Sequence, residues 1–455
     1  MAKITTIFSL KNLFVLSVAL NVSLILKVFY QSEKQVPVGV STEEQKASLT
    51  ADSGYQKEAD VNQKTIQSLS TSSSSATISL SEIEDGGERI INLDHGDPTM
   101  YEKYWKQMGE RTTIVIPGWQ SMSYFSDVKN LCWFLEPEFG KQVVRLHKVV
   151  GNAETDGRHI VVGTGSSQLY LAALFALSPA NASQPMSVVS AAPYYSSYPS
   201  MTDCLKSGLY KWAGDARSFN QDSPYIELVT SPNNPDGFVR HSMVNKTGGT
   251  LIHDLAYYWP QYTPISSPAD NDLTLFTVSK TTGHAGTRIG WALVKDPQVA
   301  RKMTKFIELN TIGVSKDSQL RAAKVLKVVA DSCEKTRTSS SSEYNESFFQ
   351  FSYRVMDQRW QQLREVVNSS SVFSLPDFPP DFCHYHGQVL EPRPAFAWLK
   401  CERELQDCES FLRGHKLLTR GGRHFGVEPK HVRISMLDRD DNFRLFLKRL
   451  SMVQP

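Results

Sequence analysis

Lys280 and Arg288 are the residues with the clearest chemical potential, because they stand close together between two apolar segments. These segments, residues 273–278 and 289–294, are predicted to be buried strands. A lysine at the end of a buried strand costs free energy unless a partner or a reaction uses its amine. A desolvated amine forms a Schiff base with an aldehyde, and an arginine suits bidentate binding of a phosphate. The pair suggests pyridoxal phosphate, and a basic surface loop between two strands is the alternative.

Other polar residues also follow apolar segments. Residues 163–167 (GTGSS) lead from a strand into a helix, where backbone amides and the hydroxyls of Ser166 and Ser167 form a cradle for an anion. A tight turn with a helix cap would have the same composition. A nucleotide-binding Walker A loop is excluded, because no Lys-Ser or Lys-Thr pair follows the glycines. Residues 233–237 (NNPDG) have the composition of a turn.

Asp254 and Tyr257 follow the apolar segment 251–253. A buried carboxylate at this place would keep a pyridine nitrogen protonated, and Tyr257 would then hydrogen-bond the phenolic oxygen of the same ring. A capping or ion-paired aspartate is the alternative. Tyr194, which follows the apolar segment 187–191, offers a flat face to such a ring, although aromatic residues at strand ends are often part of the core.

Arg433 lies in the strand-like segment 432–435, next to apolar residues on both sides. A buried arginine there would hold a substrate α-carboxylate through two hydrogen bonds, and a structural ion pair is the alternative. Residues 383–386 (CHYH) contain potential metal ligands, but no second ligand pair accompanies them. No metal site is therefore predicted.

All these residues belong to a regular alternation of strands and helices. The predicted strands are nearly continuous in apolar residues, which is typical of an α/β fold with a mainly parallel sheet. In such sheets ligands bind at the carboxyl ends of the strands, and each polar cluster follows the end of its strand. The predicted strands cover residues 159–162, 187–191, 225–230, 251–253 and 273–278, and a helix is predicted at 169–177. Farther along, helices at 319–330 and 348–367 and strands at 395–399 and 432–436 indicate a smaller α+β domain.

The composition narrows the possible functions. With 455 residues the chain is long enough for more than one domain, and its formal net charge of +2 implies no polyanionic partner. A nucleic-acid-binding function is not predicted, since no basic stripe with interleaved aromatic residues occurs. The 6 cysteines form no CxxC pair, which argues against a zinc site and a dense disulfide framework. Residues 31–88 are rich in polar side chains and are predicted to be a disordered tether.

Residues 13–26 are almost wholly apolar and are flanked by Lys11 and Lys27. We expect an uncleaved, single-pass membrane anchor within residues 1–30, because aromatic residues extend the apolar run at the interface. A cleavable signal peptide has the same basic start and apolar middle, but small residues that would mark a cleavage site are not evident. The expected location is the membrane of the endoplasmic reticulum.

Together these motifs resemble the fold-type I pyridoxal-phosphate enzymes of the aspartate aminotransferase superfamily. The sequence is more similar to the plant alliinase C-terminal family, through the segments GDPTMYEKYW, NLCWFLEPE, VVGTGSSQL, ELVTSPNNPDG, HDLAYYWPQYTPI and SKTTGHAGTRIGWALVK. Within that family it resembles the tryptophan aminotransferase-related proteins of auxin biosynthesis, in the form with an N-terminal hydrophobic anchor. The resemblance runs from about Ile90 to the C-terminus.

The resemblance implies a fold-type I transferase, with a large domain whose mainly parallel sheet is flanked by helices and a smaller α+β domain. The expected division is a hydrophobic anchor (1–30), a polar tether (31–88), a segment that contributes to the small domain and the active site (89–125), the large cofactor-binding domain (126–318) and the C-terminal small domain (319–455).

The resemblance also implies roles for matching residues. Lys280 would hold pyridoxal 5'-phosphate covalently, and Asp254 would pair with its pyridine nitrogen; both are the expected catalytic residues. The phosphate group would be bound by Ser166, Ser167, Thr277, Ser279 and Arg288. Asn234 and Tyr257 would bind the ring oxygen, Tyr194 would stack on the ring, and Arg433 would hold the substrate carboxylate. Tyr124 would reach the phosphate in the neighbouring subunit, which implies a homodimer.

The implied reaction is transamination of L-tryptophan with pyruvate to give indole-3-pyruvate. Candidates for an indole pocket are His95, Trp119, Tyr124 and Phe125. An alliinase-like C–S lyase acting on S-alkyl cysteine sulfoxides is the first alternative, since both reactions begin at the α-carbon. A catalytically inactive, membrane-anchored interaction protein is the second. Alliinases carry a cysteine-rich module before the catalytic domain, and the tether here has no cysteine, which favours transamination.

Overall fold

The fold is built around a seven-stranded sheet in which four strands are buried along their whole length. The computed structural model describes residues 89–244, 246–338, 346–402 and 405–453. The strands are, in chain order, β1 Ile91–Asn92, β2 His159–Gly163, β3 Met186–Ser190, β4 Tyr210–Asp215, β5 Tyr225–Thr230, β6 Gly249–Asp254, β7 Leu273–Thr277, β8 Gly290–Val294, β9 Phe373–Ser374, β10 Asp381–Cys383, β11 Gln388–Leu390, β12 Phe396–Cys401, β13 Leu417–Leu418, β14 Arg420–Gly421 and β15 His431–Ser435.

The order of strands in this sheet is β2-β8-β7-β6-β5-β3-β4. The pairs from β7 to β4 are parallel, whereas β8 is antiparallel to both β7 and β2. Because β2 and β7 are both antiparallel to β8, they run in the same direction as each other. The carboxyl ends of β2, β5, β6 and β7 therefore lie at one edge of the sheet, and this edge is where a ligand site is expected. The predicted α/β fold with a mainly parallel sheet is confirmed.

Helices pack against the sheet and bury the side chains of its strands. The α-helices are α1 Glu102–Met108, α2 Pro137–Val150, α3 Gly165–Leu177, α4 Tyr198–Asp203, α5 Val278–Thr281, α6 Pro297–Thr311, α7 Lys316–Thr338, α8 Phe348–Asn368, α9 Cys408–Gly414 and α10 Asp440–Ser451. Helix α3 is apolar on most sides because it packs against β7, β8 and α6 at once. Helix α2 begins with Pro137 and ends at Gly151, which has the left-handed conformation that stops a helix.

A second, antiparallel sheet has the strand order β14-β15-β12-β9. It positions Arg433, which lies in β15 and pairs with Trp398 of β12. Strand β1 joins the same region by parallel pairing with β13, so that the first described strand lies beside residues near the end of the chain. The described residues belong to one compact unit, Ile78–Pro455. The predicted boundaries at 125/126 and 318/319 stay a prediction.

One disulfide links Cys401 at the end of β12 to Cys408 at the start of α9. The sequence spacing had not indicated this pair. Cys383 is buried and accepts a hydrogen bond from the Ile265 N–H at 3.3 Å, which agrees with a packing role. Within the described ranges no cluster of His, Cys, Asp and Glu is suited to hold a metal ion.

The predicted anchor (1–30) and tether (31–88) lie outside the described residues. Of the helices that are described, none is both long enough and apolar enough to cross a membrane.

Candidate active site

A cavity of about 200 Å³ opens where the strands of the central sheet end, and Lys280 and Asp254 both line it. Residues from the ends of β5, β6 and β7 reach it, together with the first turn of α3. In the sequence the lining residues are spread from Ser166 to Arg288, and the parallel sheet brings them to one site.

Lys280 is positioned by the single-turn helix α5, which begins directly after β7. The hydroxyl oxygen of Thr277 caps this helix by accepting a hydrogen bond from the Ser279 N–H at 3.2 Å. The same hydroxyl donates to the Ile289 carbonyl at 3.1 Å, which ties the start of α5 to the segment before β8. The backbone that carries Lys280 is therefore fixed on both sides.

The Lys280 amine lies in an unusually positive, poorly solvated place. Burial lowers its pKa to about 8, and the positive charge of Arg433 acts in the same direction. Asp97 opposes this shift, and Arg288 adds to it. The amine donates a hydrogen bond to the Gly96 carbonyl at 2.5 Å. A substantial fraction of Lys280 is neutral near pH 8, as a nucleophilic amine requires.

Arg288 faces the start of α3 across a narrow gap. An added Cβ at Gly165, whose φ is +75°, would lie 2.5 Å from Nη2 of Arg288. An added Cβ at Gly290 would lie 2.8 Å from the Ser166 backbone nitrogen. Only glycine at these two positions lets the loop, the arginine and the strand come so close.

The gap forms a cup with the composition of a phosphate site. Its walls are the guanidinium of Arg288, the free N–H groups at the start of α3, and hydroxyl side chains from two elements. Nη1 of Arg288 donates to the Ala285 carbonyl at 2.9 Å and lies 3.5 Å from the Ser279 hydroxyl. The hydroxyl residues that line the same cavity are Ser166, Ser167, Thr277 and Ser279. The structure thus brings together all five residues predicted for phosphate binding.

Asp254 ends β6 with both carboxylate oxygens fixed. Oδ1 accepts a hydrogen bond from the Ala256 N–H at 3.2 Å, and Oδ2 accepts one from the Tyr198 hydroxyl at 2.9 Å. Burial raises the pKa of Asp254, while both hydrogen bonds lower it. A carboxylate held in this way is suited to accept a further hydrogen bond from a ring N–H.

Asn234 and Tyr257 line another wall of the cavity, and Arg433, which is not itself among the lining residues, is hydrogen-bonded behind them. The Asn234 amide donates to the Tyr257 hydroxyl at 3.4 Å and accepts from Nη1 of Arg433 at 3.1 Å. Burial raises the pKa of Tyr257 above its usual range, so its hydroxyl stays protonated. Asn234 and Tyr257 line the cavity and offer neighbouring polar groups to an oxygen atom of a ligand.

Arg433 is buried beside two aromatic rings, with its guanidinium carbon 4.3 Å from the Phe396 centroid and 5.3 Å from the Phe425 centroid. Its Nη2 donates to the Asp94 carbonyl, whereas its buried Nε has no hydrogen-bond partner among the described residues. Burial lowers the pKa of Arg433 to about 10. One edge of the guanidinium, formed by Nε and Nη2, is thus suited to bind a carboxylate.

The segment from Asp94 to Gly96 covers this part of the site. Lys280 donates to the Gly96 carbonyl, and Arg433 donates to the Asp94 carbonyl. The Asp94 carboxylate also pairs with Arg420 through contacts of 2.5 and 3.1 Å. The sequence analysis did not assign a role to Asp94, Gly96 or Arg420, because their proximity depends on the pairing of β1 with β13.

Two predicted cofactor residues, Tyr194 and Tyr124, are not among the residues that line the cavity. The Tyr194 ring packs edge-on against Trp212, with centroids 4.9 Å apart, and the adjacent Tyr195 lines the cavity instead. The side chain of Tyr124 is 69% exposed. Its reach into the site of a second copy of the chain stays a prediction.

The predicted indole pocket does not form within one copy of the chain. None of its four candidates lines the cavity around Lys280. The side chains of Trp119, Tyr124 and Phe125 are exposed, and the Phe125 ring packs on Trp133 at 5.1 Å. Trp119, Tyr124 and Phe125 lie in a segment whose apolar side chains stay exposed in one copy of the chain.

Several lining residues were not predicted. They are Tyr170, Tyr195, Tyr198, Met201, Thr230, Ala256 and Ala285. Tyr194, Tyr195 and Tyr198 follow the end of β3. Their position after a strand indicated a ligand site, but it did not show which of the three rings lines the cavity.

Residues 91–454 match the profile of the protein family described as Allinase. The chain belongs to this family. Tryptophan aminotransferase-related protein 2 from Arabidopsis thaliana is a relative with 58% identity over 456 residues, which cover 99% of this chain and 98% of the relative. Alliin lyase 1 from Allium sativum is 37% identical over 358 residues, covering 76% and 72% of the two chains. One relative is named an aminotransferase-related protein and the other a lyase, which agrees with the resemblance drawn from the sequence motifs.

The fold of this allinase-family chain is that of fold-type I aminotransferases. The solved structure of an aminotransferase from Staphylococcus aureus superposes with a TM-score of 0.56 at 17% identity, over 82% of this chain and 98% of the other. Pyridoxal 5'-phosphate is the cofactor of this family and fold. The residues present fit it, because Arg288 and the hydroxyls of Ser166, Ser167 and Ser279 offer donors to a phosphate in the cavity that Asp254 also lines.

Proposed function

We propose that the protein transfers the amino group of L-tryptophan to pyruvate and so forms indole-3-pyruvate, a step of auxin biosynthesis. The observation that carries the proposal is the shared cavity of Lys280 and Asp254 beside the buried carboxylate clamp Arg433. The relative with 58% identity that is named a tryptophan aminotransferase-related protein supports the choice of amino acid. An inactive interaction protein would have no need for a buried lysine with a lowered pKa.

Lys280 and Asp254 supply the acid–base chemistry of the proposed reaction. When bound, pyridoxal 5'-phosphate withdraws electrons from the α-carbon of the amino acid. Lys280 would hold the cofactor at rest and, once displaced, take the α-proton with its partly neutral amine. Asp254 would hold a proton on the ring nitrogen with its fixed carboxylate.

Arg433 would orient the amino acid. Its Nε and Nη2 edge would bind the α-carboxylate, while Asn234 keeps Nη1 in place. Binding of the α-carboxylate to Nη2 would replace the hydrogen bond that Nη2 donates to the Asp94 carbonyl. The rings of Phe396 and Phe425 beside Arg433 exclude water, which strengthens the charge-assisted hydrogen bonds.

The test uses the purified chain with tryptophan and pyruvate, followed by chromatography of the oxo-acid product. We expect indole-3-pyruvate, and we expect turnover to fall at least about a thousandfold in Lys280→Ala. The control is Lys302→Ala, on the exposed side of α6. Wild-type turnover by Lys280→Ala would contradict the assigned role of Lys280.

A C–S lyase is the second candidate, because the family also contains alliin lyase from Allium sativum, at 37% identity. The same preparation is therefore incubated with an S-alkyl cysteine sulfoxide and no oxo acid. Release of pyruvate from the sulfoxide, with no indole-3-pyruvate from tryptophan, would replace transamination by lyase activity.

We also propose that the protein is a homodimer. The segment from Val115 to Val128 exposes a group of apolar side chains that a second copy would cover: Val115, Trp119, Met122, Tyr124, Phe125 and Val128. Tyr124 within this segment would then reach the phosphate cup of the partner. Light scattering of the purified chain should give twice the monomer mass, and a monomer at micromolar concentration would reject the proposal.

A single-pass anchor in the endoplasmic reticulum membrane is proposed for residues 1–30, on the basis of the apolar run 13–26 between Lys11 and Lys27. Alkaline carbonate extraction should leave the full chain in the membrane pellet, together with a marker of that membrane. A mature N-terminus beyond residue 26 would instead indicate a cleaved signal peptide.

A further inference from the structure

Tyr198 is a buried tyrosine at the start of α4 whose hydroxyl reaches the carboxylate of Asp254. The hydroxyl lies 2.9 Å from Oδ2 of Asp254 and 2.6 Å from Oγ1 of Thr230. All three residues line the cavity around Lys280. Tyr198 thus touches the one oxygen of Asp254 that the Ala256 N–H does not bind.

The direction of these hydrogen bonds follows from the charge of Asp254. An ionised carboxylate only accepts, so the Tyr198 hydroxyl must donate to it. The oxygen of Tyr198 is then free to accept the proton of the Thr230 hydroxyl. The result is a directed chain from Thr230 through Tyr198 to Asp254, in which each bond strengthens the next.

The ring of Tyr198 is held so that this hydroxyl cannot turn away. It packs against Tyr170 and Tyr195, with centroid distances of 5.4 and 5.3 Å. The backbone of Tyr198 is also fixed, because its carbonyl accepts a hydrogen bond from the Thr202 hydroxyl at 2.7 Å. The hydroxyl position is therefore set by packing that does not depend on Asp254.

We propose that Tyr198, supported by Thr230, is a positioning residue that keeps the Asp254 carboxylate ionised and aimed at the pyridine nitrogen of the cofactor. The inference rests on the proposed role of Asp254. Without the Tyr198 donor, burial alone would act on Asp254 Oδ2 and favour its protonated form. A protonated Asp254 cannot hold a proton on the ring nitrogen, so the cofactor would lose part of its electron-withdrawing power.

The test compares Tyr198→Phe, Thr230→Val and Asp254→Asn, each loaded with pyridoxal 5'-phosphate labelled with ¹⁵N in the ring. The ¹⁵N chemical shift reports whether the ring nitrogen is protonated, and it needs no substrate. Tyr225→Phe is the matched control, because it removes the hydroxyl of a buried tyrosine in β5 that is bonded to the Val244 and Lys246 carbonyls and does not line the cavity. Thermal melting verifies that each variant is folded.

We expect the ¹⁵N signal of Tyr198→Phe to move toward that of a neutral pyridine, and that of Thr230→Val to move less. With tryptophan, kcat of Tyr198→Phe should fall about tenfold while KM stays within about twofold. Tyr225→Phe should match the wild type in both measurements. A general loss of packing would instead lower the melting temperature without moving the ¹⁵N signal.

The outcomes separate the two proposals. An unchanged ¹⁵N signal in Tyr198→Phe, with a moved signal in Asp254→Asn, overturns the role of Tyr198 and leaves that of Asp254 intact. An unchanged signal in Asp254→Asn overturns the role of Asp254 itself. If Tyr198→Phe does not fold, Thr230→Val decides, because it removes only the terminal donor of the chain.

Discussion

Lys280 is an amine surrounded by positive charge, and this arrangement fixes the pH at which it becomes a nucleophile. Its pKa of about 8 results first from burial and then from Arg433. The same arginine is proposed to bind the substrate carboxylate. A bound carboxylate would neutralise Arg433, so the affinity of Lys280 for a proton should rise as the amino acid enters. The two residues are thereby coupled across the cavity.

This coupling predicts the pH dependence of cofactor capture by the cofactor-free protein. Only neutral Lys280 reacts, so the rate should rise with pH and level off above about 8. In Arg433→Gln the protonated amine is no longer repelled by Arg433, and the midpoint should move to higher pH. An upward move of one pH unit lowers the neutral fraction at pH 7 about tenfold. Stopped-flow absorbance at a series of pH values measures the midpoint.

Arg364→Gln is the control, because Arg364 packs over the Trp360 ring and is not among the charges that shift the pKa of Lys280. Its midpoint should equal that of the wild type. A midpoint in Arg433→Gln that is unchanged or lower would show that Arg433 does not act on Lys280.

Residue types pointed to Lys280, Arg288 and Asp254, because a lysine, arginine or aspartate after an apolar strand has few structural uses. Thr277 and Ser279 were expected only through the family resemblance. The choice between Tyr194 and Tyr195 was beyond the sequence, since it depends on how the chain turns after β3. Tyr198 was overlooked for a different reason. A tyrosine at the first position of a short helix is usually a packing residue, and only its contact with Asp254 gives it a role.

At the scale of elements, the loop between β2 and α3 determines how closely the helix start approaches Arg288. Gly165 has a positive φ and no room for a side chain. Gly208 has a similar φ of +73° but open space around it. A substitution at Gly208 would therefore cause backbone strain alone, whereas a substitution at Gly165 would cause both strain and a steric clash.

We predict that Gly165→Ala weakens cofactor binding by at least about tenfold, because its Cβ would displace Arg288 from the phosphate cup. Gly208→Ala should cost a comparable amount of stability, about 1 kcal/mol, without any effect on the cofactor. Equilibrium dialysis measures the dissociation constant, and urea denaturation measures the free energy of unfolding. Equal cofactor affinities in the two variants would disprove the close approach of Gly165 and Arg288.

Most strands of the central sheet were predicted from the sequence, because β3, β5, β7 and β8 are buried along their whole length and their apolar residues show it. Strand β5 was predicted at 225–230 and is observed as Tyr225–Thr230. Strand β4, Tyr210–Asp215, was missed, because at the edge of the sheet only its first residue is buried. The pairing of β1 with β13 was also beyond prediction, since neither two-residue strand has a pattern of its own.

At the scale of the whole molecule, the proposed homodimer would complete each site with Tyr124 of the other copy. Mixed dimers test this arrangement. In a mixed dimer, one chain carries Lys280→Ala and the other carries Tyr124→Ala. If Tyr124 acts across the interface, the second chain's site keeps its own Lys280 and receives the intact Tyr124 of the first chain. We expect co-expressed, doubly tagged mixed dimers to recover about half of the wild-type turnover, while each parent variant alone is strongly impaired.

Tyr124 acting within its own chain would give the opposite result, because every site in the mixed dimer would then lack one of the two side chains. Mixed dimers of Lys280→Ala with wild type provide the reference for one intact site. The sequence suggested this arrangement only through resemblance, since a residue that serves a partner has no signal within its own chain.

The contacts of the Asp94–Gly96 segment have a consequence for synthesis on the ribosome. Strand β1 pairs with β13, and Asp94 and Gly96 are held by Arg433 and Lys280. At about 5–20 residues per second, the segment leaves the ribosome many seconds before β13 and β15 have been made. During that time the central sheet can assemble, but β1 has no partner strand. A chain released before His431 would therefore contain the whole central sheet and still lack the clamp for a carboxylate.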